Sequence, residues 1–98
     1  MELEFKDEDL EKLYCDPRAT ARKGDAVDKG FRKVIQFIRA ARDERDLYGM
    51  KSMYFKSLKG NRSHQCSFRI NNQWRLIVEM EKIKDSKRVI VIGIEDYH

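Results

Sequence analysis

The sequence predicts one α+β domain, in which an N-terminal strand and two main helices pack on a twisted, mainly antiparallel β-sheet. Three observations lead to this fold class. A short segment of strand-like alternation comes first, two segments with helical spacing of apolar residues follow, and the second half alternates between apolar and polar residues. A chain of 98 residues, 41% hydrophobic and 39% charged, has room for one modest core. We therefore expect a single domain over residues 1–98.

The chain is expected to begin with a strand and a short helix. Polar and apolar residues alternate over Glu2–Lys6, as they do in a half-buried strand. Asp7 can cap a helix over Glu8–Tyr14, because its carboxylate can accept hydrogen bonds from the first free amides of the helix. The Asp16–Pro17 pair should end this helix, since the residue before a proline is pushed away from helical backbone angles.

The second helix is predicted to run from Ala26 to about Asp43. One apolar stripe defines it, formed by Val27, Phe31, Val34 and Ile38. Asp25 is the expected N-cap, with Asp28 three residues later in a variant of the capping box. The opposite face is charged, which fits a solvated face better than a dedicated nucleic-acid surface. A charged turn, with one further helical turn at most, is expected over Asp43–Gly49.

The second half is predicted to form antiparallel strands joined by hairpin connections. In chain order we expect a lead into the first main strand at Met50–Phe55, a strand over Gln65–Ile70, a tight turn at Asn71–Gln73, a strand over Trp74–Met80, a polar loop at Lys82–Lys87, and a central strand over Val89–Ile94. The last of these has no polar side chain, so it should be covered on both faces.

Charge is distributed unevenly along the chain. The net charge is +4, and residues 51–75 contain no acidic residue. A basic segment free of carboxylates favours a polyanionic partner. The two cysteines, Cys15 and Cys66, are far apart and match neither a disulfide framework nor zinc-ligand spacing. No apolar run approaches a membrane span and no signal-peptide pattern is visible, so a cytoplasmic protein without a membrane partner is expected.

Two groups of residues have chemistry suited to a site. Arg75 follows Trp74 on a predicted strand, where its planar guanidinium could bind two phosphate oxygens; alternatively, its stem could cover Trp74. Asp96, Tyr97 and His98 end the chain with three groups that can transfer or hold protons, although a lone terminal histidine is more often a solvent residue than a catalyst. The histidines lack carboxylates at ligand spacing, and no phosphate-binding loop is present, so no metal or cofactor is expected.

Three ordered motifs resemble the HigB toxins, a branch of the RelE/ParE superfamily of bacterial toxin–antitoxin systems. They are L-K-G-N-R from Leu58, S-F-R-I-N-N-Q-W-R-L from Ser67, and E-D-Y-H from Glu95. The resemblance implies a RelE-like microbial RNase fold and ribosome-dependent, metal-independent cleavage of messenger RNA by transesterification. It also implies two partners, the ribosome with its messenger RNA and a helix-turn-helix antitoxin of the HigA type.

The resemblance also carries residue roles onto this chain. It implies that Asp96, Tyr97, His98 and Arg75 take part in catalysis. Where family members have a histidine in H-P-L-K-G, this chain has Lys56, which we expect to assist as a cation. Three further basic residues are expected to hold the RNA backbone: Lys59, Arg62 and Arg69.

Two alternatives of another class remain at this point. ParE-type relatives share the fold but inhibit DNA gyrase by protein binding, and they lack the terminal Asp-Tyr-His present here. The second alternative is an inactive RNA-binding or ribosome-binding domain, in which Lys56 marks lost catalysis.

Overall fold

A computed structural model describes residues 1–96 of the chain. Tyr97 and His98, to which the sequence analysis assigns catalytic roles, lie outside the described residues. The described part contains three α-helices, α1 (Glu8–Cys15), α2 (Asp25–Ala40) and α3 (Glu44–Gly49), and five strands, β1 (Glu2–Phe5), β2 (Lys56–Ser57), β3 (Gln65–Arg69), β4 (Trp74–Ile83) and β5 (Ser86–Asp96). Short 3-10 turns occupy Lys51–Met53 and Gly60–Arg62. None of the helices among residues 1–96 has the length and apolar character needed to cross a membrane.

The five strands form one sheet in the order β1-β5-β4-β3-β2. β1 pairs with β5 in parallel, and the other three pairings are antiparallel. The predicted α+β class with a mainly antiparallel sheet is therefore confirmed. A β-bulge interrupts the long β4–β5 ladder, because Ile77 pairs with Gly93 whereas Val78 pairs with Val91.

The core lies between the helices and one face of the sheet. From α2, Phe31, Ile35 and Ile38 are fully buried, and they belong to the same cluster as Phe68 and Leu76 of the sheet. Burying a side chain of this size contributes roughly 1.5–3 kcal/mol. Because consecutive strand residues point to opposite faces, the residues between these positions lie on the face turned away from the helices.

Helix boundaries agree with the sequence at α1 and differ at α2. Asp7 caps α1 as expected, accepting hydrogen bonds from the amides of Asp9 and Leu10. At α2, however, the N-cap is Gly24, whose φ of 105° suits glycine, and Asp25 is already helical. Asp28 is buried and accepts a hydrogen bond from the Ala21 amide, so it anchors the preceding loop instead of completing a capping box.

The predicted end of α2 at Asp43 was wrong. The helix ends at Ala40, and Asp43 caps α3 by accepting a hydrogen bond from the Arg45 amide. An aspartate at the N-cap satisfies an amide that has no helical partner. Asp43 therefore begins a new helix instead of extending the preceding one.

Two strand predictions need correction. Met50–Phe55 does not lead directly into a strand: a 3-10 turn intervenes, Met53 and Phe55 enter the core, and β2 has only two residues. The expected polar loop at Lys82–Lys87 is mostly paired strand, because Lys82 pairs with Lys87 and Ile83 with Ser86. A ladder of backbone hydrogen bonds needs no apolar side chains, so polar residues at a solvent-exposed hairpin end gave no strand signal.

The expectation that β5 is covered on both faces is correct for one face. β5 lies between β1 and β4, as a central strand should. Val89 and Val91 are fully buried, whereas Ile90 and Ile92 are only half-buried. Ile90 faces away from the helices and Ile92 lies at the β-bulge, so the apolar run of β5 overstates how far the strand is covered.

α2 and the β3–β4 hairpin approach closely at one point. A Cβ added to Gly30 of α2 would lie 2.8 Å from Cγ2 of Ile70 and 3.1 Å from its carbonyl oxygen. Ile70 directly follows β3, and its amide donates to the Trp74 carbonyl oxygen (3.0 Å) across the hairpin. Glycine at position 30 thus sets how near the helix lies to the hairpin that carries Arg69 and Arg75.

Candidate functional site

Strand register brings several predicted site residues onto one face of the sheet. Arg69 is the direct partner of Arg75, and Arg75 is the direct partner of Glu95. Lys56 pairs with Ser67, two residues before Arg69. Direct partners point to the same side of a sheet. We call the side chains of Lys56, Ser67, Arg69, Arg75 and Glu95 the outer face, because they alternate with the core residues that contact the helices.

Arg75 lies in the middle of this basic arrangement. It is half-buried, and its Nε and Nη1 atoms are enclosed by surrounding protein. Trp74 points to the opposite side of β4, where the Lys23 ammonium lies 5.1 Å from the Trp74 ring centroid. The alternative that the Arg75 stem covers Trp74 is therefore wrong, since neighbouring strand residues face opposite sides.

Arg62 spans the outer face through contacts that no sequence pattern predicts. Arg62 lies in the 3-10 turn that precedes β3, and its Nη2 donates to Glu95 Oε2 (2.8 Å) on β5, which is two strands beyond β3 in the sheet. Its Nε and Nη2 also donate to Gln65 Oε1 (3.1 and 2.9 Å). The hydrogen bond with Glu95 raises the pKa of the Arg62 guanidinium. Glu95 is thus a site residue that was missed; its register position opposite Arg75 became visible only with the pairing.

The polar network continues from Arg62 along β3 and β4. Gln65 Nε2 donates to Glu79 Oε2 (3.3 Å), and His64 Nε2 lies 3.8 Å from the same oxygen. His64 is exposed in the turn that precedes β3. The network holds Arg62 in a defined position over the sheet.

Charge divides this side of the sheet into two halves. At the end near β1, Arg88 contacts three carboxylates, those of Glu2 (3.7 Å), Glu4 (3.3 Å) and Glu81 (3.4 Å). The other end carries Lys56, Arg69 and Arg75. A polyanion is attracted to the second half and repelled from the first.

Arg69 and Tyr54 form a pair at the edge of the outer face. The Arg69 guanidinium lies 5.0 Å from the Tyr54 ring centroid, and its Nη2 donates to Asn72 Oδ1 in the hairpin turn. Tyr54 is 53% exposed and has left-handed backbone angles (φ 49°, ψ 42°). No periodic pattern in the sequence marks Tyr54 as a surface or site residue.

The remaining predicted residues are placed less centrally. Asp96 is the direct partner of Trp74, so by strand alternation it points away from the side that carries Arg75, and Gln73 Nε2 donates to its Oδ2 (3.2 Å). Lys59 is exposed in the connection between β2 and β3. From strand and residue spacings, the Cα atoms of Lys56 and Arg75 are about 12 Å apart, which two long side chains can bridge through a bound anion.

Metal ligation has no candidate among residues 1–96. This part of the chain contains no group of three or more His, Cys, Asp and Glu side chains that could hold a metal ion. Burial raises the pKa of the Cys66 thiol, so Cys66 is a protonated core residue at neutral pH. In the described residues, the candidate site therefore consists of cationic side chains with carboxylates next to them.

Comparison with known structures identifies the fold. The YoeB/ParE toxin from Agrobacterium tumefaciens aligns with this chain at a TM-score of 0.58 and 17% sequence identity, covering 100% of both chains. The fold is therefore that of this class of small toxins.

Sequence comparison then identifies the family. A family model for HigB-like toxins, described as the RelE-like toxin of the type II toxin–antitoxin system HigB, matches residues 3–98. Toxin HigB-1 from Vibrio cholerae serotype O1 is 34% identical over 79 residues, which cover 81% of this chain and 83% of that protein. The chain belongs to the HigB-like toxin family and is a type II toxin, and such a toxin has an antitoxin as its partner.

Proposed function

We propose that this toxin is an endoribonuclease that cleaves messenger RNA on the ribosome without a metal ion. The observation that carries the proposal is the direct pairing of Arg69 with Arg75 on the outer face, with Lys56 nearby. Like charges directly opposite each other destabilise a sheet, and an anion between them removes that cost. Four positive charges, those of Lys56, Arg62, Arg69 and Arg75, outnumber the carboxylates of Glu79 and Glu95 that border them in the described residues. A phosphodiester has the charge and size to complete this arrangement.

The proposed reaction is transesterification. The 2′-hydroxyl of a ribose attacks the adjacent phosphorus, the bond to the 5′-oxygen of the next nucleotide breaks, and a cyclic phosphate remains. Arg75 and Lys56 stabilise the negative charge that develops on the phosphorane. Asp96 and His98 remove and donate the protons, without a fixed division of the two roles. For Asp96 this role requires the end of β5 to turn its carboxylate toward Arg75, because its pairing with Trp74 points it to the other side. Tyr97 contacts the nucleotide by stacking or by a hydrogen bond.

Backbone binding and partner recognition complete the proposal. Lys59, Arg62 and Arg69 hold phosphates on either side of the cleaved bond. Lys56 stands where family members have a histidine, and its ammonium group serves here as a charge stabiliser. The antitoxin is of the helix-turn-helix HigA type, and the protein acts in the cytoplasm.

The experiment is 5′-end mapping of a messenger RNA in a translating bacterial extract, with and without the protein and with translation blocked. We expect cuts within codons that require moving ribosomes. Arg75→Ala should lower the cleavage rate by about 10²- to 10³-fold, the usual loss for one charge-stabilising group. Arg45→Ala is the matched control, because Arg45 is an exposed arginine of α3 outside the outer face.

Two outcomes would reject parts of the proposal. Unchanged cleavage by both Arg75→Ala and His98→Ala would refute the assignment of roles. Absence of cuts under every condition, with folded protein, would favour a toxin that acts by binding, either to gyrase or to the ribosome. Lys56→His would then be the next variant, since it restores the family residue.

A further inference from the structure

Tyr54 is presented to solvent by the two residues that flank it. Met53 and Phe55 are buried at 5% and 7% exposure, whereas Tyr54 is 53% exposed. Its left-handed backbone is uncommon for a residue other than glycine, asparagine or aspartate. The chain thus places a large aromatic ring outside the core between two anchored neighbours. Such residues occur more often at binding sites than elsewhere on a surface.

The ring is continuous with the basic half of the outer face. The Arg69 guanidinium lies 5.0 Å from the ring centroid, a cation–π distance. Arg69 is held from its other side by Asn72 and is the direct strand partner of Arg75. Tyr54, Arg69 and Arg75 therefore form one contiguous row, in which an aromatic ring lies beside the proposed phosphate site.

We propose that Tyr54, supported by Arg69, is a stacking subsite for a base of the RNA strand whose phosphate lies at Arg75. The inference rests on the proposed function above and adds a residue to it. Aromatic rings and arginine planes are the usual platforms for unpaired bases. Lys51 and Lys56 lie on either side of Tyr54 in the sequence, and residues 51–75 contain no Asp or Glu, which favours a nucleic acid over an apolar protein segment. Tyr48, also exposed, packs edge-on against Phe55 at 4.7 Å and has no such cationic neighbour among the ring contacts of the described residues.

The test is nuclear magnetic resonance of protein with isotope-labelled tyrosine rings. The protein is titrated with a single-stranded oligoribonucleotide, an abasic oligomer of the same length, and inorganic phosphate. We expect the Tyr54 ring resonances, assigned with Tyr54→Phe, to move upfield only with the base-containing strand. The Tyr48 resonances should not move, because Tyr48 belongs to α3 and its ring packs on Phe55 of the core. That ring is therefore the internal control.

A binding series on the same protein gives the magnitude. Tyr54→Ala should weaken binding of the oligoribonucleotide by about 5- to 150-fold, the range for loss of one stacked base. Tyr54→Phe should bind like the parent protein, and the abasic oligomer should not distinguish Tyr54→Ala from the parent. Equal losses on both oligomers, or no resonance shift at millimolar RNA, would overturn the proposal. These readouts need no cleavage, so a failure of stacking and a failure of the ribonuclease proposal are separately visible.

Discussion

Substitution of Gly30 by alanine should destabilise the protein through one contact. Alanine would place a methyl group 2.8 Å from Ile70 Cγ2 and 3.1 Å from the Ile70 carbonyl oxygen, closer than van der Waals contact allows. The carbonyl belongs to the hairpin backbone, and a β-branched side chain is stiff about χ1, so neither neighbour moves easily. α2 and the hairpin must therefore separate slightly.

Two opposing contributions set the magnitude. Alanine in place of glycine inside a helix stabilises by about 1 kcal/mol, and overpacking of this kind costs about 1–3 kcal/mol. Because one of the two close atoms is backbone, we place the cost in the upper half of that range. The net loss in the free energy of unfolding should then be about 1–2 kcal/mol, a fall in Tm of roughly 5–15 °C for a domain of this size.

Urea denaturation followed by Trp74 fluorescence measures this loss, since Trp74 is the single tryptophan and begins the strand after the hairpin turn. Gly49→Ala is the control, because nothing lies within 4 Å of a Cβ added there at the end of α3. Ile70→Ala removes Cγ2, so Gly30→Ala should cost less in that background. Equal stability of Gly30→Ala and Gly49→Ala would refute the reasoning.

Two other predictions concern charge and pH. Glu95→Gln should release Arg62 toward phosphate, leave Tm nearly unchanged because the ion pair is exposed, and steepen the salt dependence of RNA binding by about 0.7 in a log–log plot. Glu81→Gln, in the acidic half, should not change that slope; if the slope of Glu95→Gln is also unchanged, Arg62 is not withheld by Glu95. Burial raises the pKa of Cys66 above its ordinary value of 9.0, so folding favours the neutral thiol. The contribution of this neutral thiol to the free energy of unfolding should be complete below pH 9.0 and be lost at higher pH, which a comparison with Cys66→Ala measures. Thiol reagents should label the exposed Cys15 long before the buried Cys66. Equal labelling rates would contradict the burial of Cys66.

Apolar periodicity was sufficient for the fold class and for most elements. The stripe from Val27 to Ile38 is buried in α2 as predicted, and alternation around Phe68 gave both the strand and its buried face. The predicted element boundaries were wrong where backbone pairing or capping, and not the burial of apolar side chains, determines the structure. The polar end of the β4–β5 hairpin forms through backbone pairing, and the end of α2 depends on Asp43 capping the next helix.

The candidate site divides in the same way. Motifs in the sequence indicated Arg69 and Arg75 and the family, and the family is confirmed, while the roles of Asp96, Tyr97 and His98 remain predictions. Asp96 shows why register matters, because its pairing with Trp74 points it away from the side that carries Arg75.

The sequence by itself determined the element order, the core, the acid-free basic segment and the family motifs, because each is a property of local pattern. Only the tertiary structure decided that Glu95 pairs with Arg62 across two strands, that Tyr54 meets Arg69, and that Gly30 limits the approach of helix and hairpin. The physical reason is that strand register and helix-to-sheet distance join residues far apart in the chain. These contacts between distant parts of the chain depend on how the whole core packs, and no local sequence pattern encodes them.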